Sequence, residues 1–199
     1  MTLNRRTLLS HSAAITATVT LLAQQCQTLE VVPPPPGSRA TVPICRLWNE
    51  GLAQVSPDVS RLAESLWHLE PHLCWGQNAN YRRQPPSAGF LVNYGFAPII
   101  GRPGGLPSLV YDADLSIGLF VLGPHTDYPP HQHPALEQYV PLTVANWWKE
   151  DDIWRQHPAG ALIHHDPERS HAMRTDDVPL FAIYVWRGDV MSSSNWSPR

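Results

Sequence analysis

The stretch Tyr128-Pro129-Pro130-His131-Gln132-His133-Pro134-Ala135-Leu136-Glu137-Gln138-Tyr139 sets polar side chains at spacings that an extended backbone turns to one side. His131 and His133 lie two residues apart, so their side chains leave the same face of a strand. Glu137 and Tyr139 share a parity and can point into the same space, even with a turn at Pro134. Such a group is expensive to bury unpartnered, because each member gives up water and gains nothing. A divalent metal satisfies imidazole and carboxylate donors together. One more ligand then has to come from another strand. The best placed is His171, which closes the run His157-Pro158-Ala159-Gly160-Ala161-Leu162-Ile163-His164-His165-Asp166-Pro167-Glu168-Arg169-Ser170-His171.

Outward from this motif the chain reads as short strands joined by turns. Gly89 to Ile100 opens the apolar segments, the turn Gly101-Arg102-Pro103-Gly104-Gly105 follows, and Leu115 to Leu122 is a continuous apolar strand. Further strands are expected over Glu137 to Leu142, Ala145 to Lys149, Ala161 to His164 and Pro179 to Trp186. Strands at this spacing indicate an all-β sandwich or barrel. Before them, Leu47, Leu52, Val55, Leu62, Leu66 and Leu69 have helical spacing broken by Pro57, which predicts two short helices with Ser56 or Asp58 as a cap. Leu73 to Pro86 reads as irregular.

Composition agrees. Of 199 residues 21 are proline, about double ordinary usage, which argues against long helices. Charged residues are 16% and apolar ones 43%, a globular balance. Net charge is 14 − 17 = −3 and no Lys/Arg cluster is present, so nucleic acid is not expected as a partner. Ten histidines in a lysine-poor chain direct attention to metal or proton chemistry. Cys26, Cys45 and Cys74 have no paired spacing and do not make a zinc framework.

The N-terminus differs from the rest. Arg5-Arg6 precedes an acid-poor segment from Ser10 to Ala23, and Pro33 to Pro36 follow. Residues 1–32 therefore read as an export signal of twin-arginine type or a disordered tail, 33–40 as a Pro-rich linker and 41–195 as the metal-binding domain. The expected location is periplasmic if the signal operates and cytoplasmic otherwise. The segment is too short and polar for a stable membrane span.

The pair HQHPALEQY and GALIHHDPERSH resembles the two motifs of a cupin, and VLGPHTDYPPHQHPALEQYVPL, HPAGALIHHDPERSHAMRT, PLFAIYVWRGD and FLVNYGFAPIIGRPGGL resemble cupin-type dimethylsulfoniopropionate (DMSP) lyases over about residues 45 to 190. The resemblance implies a single cupin-type β-barrel (double-stranded β-helix or jelly roll) with short N-terminal helices. It makes His131, His133, Glu137 and His171 the metal ligands and Tyr139 the catalytic base. Tyr128 becomes a substrate-binding aromatic and second catalytic candidate, and Trp186 a pocket wall. The sequence departs from the cupin pattern at Val144 and Arg169, where glycines are usual, and at Thr175, where asparagine is usual. These positions affect turns and not ligands.

DMSP carries a carboxylate and a sulfonium, and its β-elimination to dimethyl sulfide and acrylate needs a base and an electrophile. A metal on the carboxylate stabilises developing negative charge and favours a nearby phenolate, and aromatic faces attract the sulfonium. The expected cofactor is one divalent ion, with Fe, Mn, Zn, Ni and Co all compatible with the donors. The expected partner is a small-molecule substrate, and a homodimer is left open. Alternatives are a cupin dioxygenase, a lyase or isomerase on a related small carboxylate, or a non-enzymatic small-ligand binder. His125, His164 and His165 receive no role beyond support or exposure.

Overall fold

The computed structural model describes residues 41–150 and 152–197; the stretches 1–32 and 33–40, read above as signal and linker, lie outside the described residues. Eleven described strands form two sheets. The six-stranded sheet has the order β2 (Val110–Tyr111), β1 (Tyr94–Gly101), β3 (Leu115–Leu122), β10 (Leu180–Arg187), β5 (Leu136–Pro141), β8 (Ile163–His165). The five-stranded sheet runs β11 (Asn195–Trp196), β4 (Asp127–Gln132), β9 (His171–Arg174), β6 (Ala145–Lys149), β7 (Arg155–His157). This is the cupin-type β-barrel with short helices ahead of it.

The central strands β3 and β10 of the larger sheet are buried on both faces, which explains their unbroken apolar runs. Ile117, Leu119 and Val121 of β3 and Phe181, Ile183 and Val185 of β10 pack in one cluster with Trp48, Leu62, Leu66 and Leu69 from the helices. The alternate residues Phe120, Ala182 and Tyr184 join a second cluster with Tyr128, Tyr139, Trp147 and Met173, between the two sheets. The outer cluster is covered by α1 (Trp48–Ala53) and α2 (Ser60–Leu69), the two helices expected on either side of Pro57. Ser56 Oγ accepts from Asp58 N at 3.4 Å, as its cap position requires. α1 approaches the sheet closely at Gly51, where an added Cβ would run into the ring of Phe181.

Several elements differ from the sequence reading. Phe90–Val92 is a 3-10 turn and β1 starts only at Tyr94. Within the segment read as irregular, Ala79–Arg83 forms the short helix α3, capped by Asn78, whose side chain accepts from Asn80 N at 2.9 Å. The departures from the cupin pattern are absorbed locally. Thr175 Oγ1 donates to Gly123 O at 2.6 Å and accepts from Thr126 N at 3.0 Å, tying the start of β4 to the end of β9.

The prolines of the central motif act on the sheet itself. β4 pairs with β9 at Tyr128↔Met173 and His131↔His171, so three steps on β4 match two on β9. Pro129-Pro130 therefore hold one extra residue, a bulge, and have no N–H to give the ladder. Side chains three apart on a regular strand face opposite ways. Here Tyr128 and His131 both turn inward and stack, with centroids 4.0 Å apart and planes 9° apart.

Candidate metal centre and pocket

His133, Glu137 and His171 come together inside the barrel, one ligand atom from each lying within 4.8 Å of the others. All are essentially inaccessible to solvent. Glu137 Oε2 is 2.9 Å from His133 Nε2 and 3.0 Å from His171 Nε2, while Oε1 accepts from the Trp186 indole at 2.5 Å. His133 Nδ1 bonds Ala135 O at 3.0 Å and His171 Nδ1 bonds Arg169 O at 2.9 Å. A carbonyl only accepts, so each Nδ1 carries its proton and each Nε2 turns a lone pair toward the carboxylate. His171 Nε2 has no hydrogen-bond partner in this arrangement. Converging acceptors of this kind repel one another unless a positive charge sits among them, so the donors fit a divalent cation.

His131 is equally buried. Its Nδ1 bonds Pro129 O at 2.9 Å, and its ring meets His171 at 4.2 Å and 63°. Its ligand atoms are not part of the close group formed by the other three. Parity placed His131 on the inner face. The stack on Tyr128 decides where the ring goes.

Burial by itself raises the Glu137 carboxyl, but a protonated His133, through its charge and the hydrogen bond it then donates, with His171 adding to them, holds it well below the usual range. Burial first and the charge of His171 second push His131 and His165 well below 6.5. The sign for stability follows directly. Above 6.5 these imidazoles are neutral folded or unfolded; below it the unfolded chain binds protons that the fold refuses, so stability falls with pH. Glu137 acts in the same direction lower down, its contribution being full above 4.5 and lost as pH drops through its lower folded value. The metal-free protein is expected to show a thermal midpoint that declines steadily from about pH 7 to about pH 5. A flat midpoint across that range would contradict these environments.

Tyr139 is buried beside Glu137. Burial, and then the negative charge of Glu137, raise the phenol well above 10.0. Both tyrosines and Trp186 line a cavity of about 340 Å³ with Tyr94, Phe120 and Tyr184. Glu137 is its only lining carboxylate and Arg102 its only lining cation among the described residues. Aromatic rings flank Glu137, while Gln77, Asn78, Arg102 and Ser116 place further polar groups on the lining. Trp186 does more than line the wall: it stacks on His133 at 4.1 Å and 27° while holding Glu137. The sequence could not show this, because it depends on Glu137 and Trp186 being register partners across β5 and β10. Tyr81 was also missed. It rises from α3, stacks on Trp196 at 3.9 Å, bonds Ser194 Oγ at 2.5 Å and braces the Tyr128 ring at 5.6 Å. His125 and His164 lie apart: His125 pairs with Asp177 at 3.3 Å and His164 with Asp166 at 3.0 Å, both toward solvent.

The sequence model of the dimethylsulfoniopropionate lyase family matches residues 12–182. The chain belongs to that family. Its match begins within the stretch 1–32 read above as a signal or tail. A curated relative, the dimethylsulfoniopropionate lyase DddQ of Ruegeria pomeroyi, is 32% identical over 114 residues, which are 55% of this chain and 53% of that protein. The chain thus spans about half the length of the curated relative it matches. The crystal structure of DMSP lyase DddQ from Ruegeria pomeroyi superposes with a TM-score of 0.72 at 21% identity, covering 90% of this chain and 95% of that one. A chain from the crystal structures of DMSP lyases RdDddP and RnDddQII superposes with a TM-score of 0.71 at 18% identity, covering 94% and 100%. At these identities the superpositions establish the shared fold of the DMSP lyase family.

Proposed function

We propose that the protein cleaves dimethylsulfoniopropionate by β-elimination to dimethyl sulfide and acrylate, with His133, Glu137 and His171 holding a divalent metal and Tyr139 acting as base. The observation that carries this is the convergence of two imidazoles and a carboxylate at the wall of an aromatic cavity that Tyr139 lines together with Glu137. When bound, the ion supplies positive charge that offsets the substrate carboxylate and favours the phenolate of Tyr139. The chain's own residues do the rest. Tyr139 takes the proton from the carbon next to the carboxylate, the electron pair becomes the new C=C bond, and the C–S bond breaks with its electrons leaving on sulfur. The balance is one acrylate, one dimethyl sulfide and one proton on Tyr139. Tyr94, Phe120, Tyr128, Tyr184 and Trp186 offer ring faces to the sulfonium and exclude water. His131 is the fourth ligand of this reading: its Nδ1 bonds Pro129 O as the other two imidazoles bond their carbonyls, its ring meets His171 at 4.2 Å, and its Nε2 remains for the cation.

The test is incubation of purified, metal-loaded protein with DMSP and measurement of headspace dimethyl sulfide. Oxygen uptake without dimethyl sulfide would favour a dioxygenase instead. Trp186→Phe checks how the carboxylate is held. The phenyl ring keeps the stack on His133 but removes the N–H from Glu137 Oε1, so metal affinity should fall on the order of 10–100-fold in a chelator competition. Unchanged affinity would remove Trp186 from the support of the site.

A further inference from the structure

His165 is the one histidine inside the barrel that this reading leaves without a task. It is 2% exposed and stands on β8 as the register partner of Glu137 on β5, so the two side chains share a face. Its ring lies flat on His171, with centroids 4.0 Å apart and planes 11° apart. Neither of its ring nitrogens has a hydrogen-bond partner, and the indole nitrogen of Trp147, whose ring lies 6.4 Å away at 27°, is also unpartnered. Burying a histidine that makes no hydrogen bond is costly. An aliphatic side chain would fill the same volume without that cost, so the shape of the ring is what the position uses.

The ring beneath it needs such a neighbour. His171 is fixed at Nδ1 by the carbonyl of Arg169 and meets the His131 ring at 4.2 Å and 63°, contacts that set its tautomer but leave its flat face to be held by a neighbour. Rocking swings Nε2 away from Glu137 Oε2, 3.0 Å distant. A flat group at stacking distance blocks that motion, because any tilt drives the two rings into van der Waals overlap. His165 does not line the cavity and so does not meet substrate.

We propose that His165 is a positioning residue, a flat plate that sets the plane of the His171 ring and so aims Nε2 at the point shared with His133 and Glu137. The inference rests on the metal reading given under the proposed function. It predicts that flatness matters at position 165, and that neither volume nor ring nitrogen does.

Cobalt(II) bound to the full chain reports this without reference to turnover, through its affinity in chelator competition and through its visible absorption, which follows ligand geometry. His165→Phe keeps a flat face and His165→Leu keeps bulk without one. The leucine variant should bind cobalt about 10–100-fold more weakly with shifted absorption bands, as loss of a supporting neighbour does elsewhere, while the phenylalanine variant stays close to the unmodified protein. Unchanged affinity and spectrum in the leucine variant would overturn the inference. Equal weakening in both would overturn it too, by assigning the role to the ring nitrogens. Circular dichroism and melting of the metal-free forms establish folding first. If the phenyl ring overpacks the site, His165→Asn supplies a smaller flat group, and if the leucine variant does not fold, His165→Met replaces it. Failure of the unmodified protein to bind cobalt would instead overturn the metal reading and this inference with it.

Discussion

Tyr139→Phe will lose dimethyl sulfide release by roughly 10²–10⁴-fold while keeping its fold and its metal. The ring is held by Phe120 at 5.7 Å and Trp147 at 5.0 Å, contacts that a phenylalanine retains. Only the oxygen beside Glu137 goes. The loss corresponds to roughly 2.7–5.4 kcal/mol in the barrier. Burial raises this phenol well above 10.0, so its role as base calls for positive charge beside the oxygen. Headspace dimethyl sulfide read beside metal content separates the two functions. Turnover near that of the unmodified protein at full metal loading would end the assignment of Tyr139. Tyr128 would then be examined, although its ring is already committed to the stack on His131.

The second large effect is expected at Glu137. Glu137→Gln preserves shape, and its amide suits the empty cluster well: the oxygen can still accept from Trp186, and the NH₂ can donate to the lone pairs on His133 and His171. The metal-free protein should therefore fold. Cation binding should nevertheless drop by more than the roughly 100-fold that removal of a supporting partner brings, because the amide removes the negative charge and blocks both imidazoles with its own hydrogens. Chelator competition and metal analysis measure this directly. A glutamine variant that loads metal stoichiometrically at ordinary concentrations would remove Glu137 from the ligand set. The two variants are complementary, one silent in metal binding and the other silent in packing.

Much of this was legible in the sequence because it depends on local periodicity. The strands at Leu115–Leu122 and Leu180–Arg187 were readable from their unbroken apolar runs, and the alternation of inner and outer residues followed. Parity alone put Glu137 and Tyr139 on one face and joined His133 to them. What the sequence could not carry was register between distant strands. The bond from Trp186 to Glu137 and the plate formed by His165 both depend on which residues meet across β5 and its two neighbours. Helix α3 escaped because five residues give too little periodicity to see, yet it delivers Tyr81 into the aromatic wall. His131 was read onto the correct face, but its exact reach is set by ring stacking, which no spacing rule contains.

The bulge at Pro129-Pro130 has a consequence for how this site can change over evolutionary time. Tyr128 belongs to one phase of the strand and His131 with His133 to the other, and both look inward only because one residue is out of step between them. A point mutation can exchange one inward side chain for another but cannot alter which phase faces inward. A single-codon deletion at the diproline does so at once, turning either the cavity wall or the histidine pair toward solvent. Point mutation can therefore exchange the aromatic wall residues one at a time, whereas a change in the length of this short segment would cost either the wall or the histidine pair in a single step.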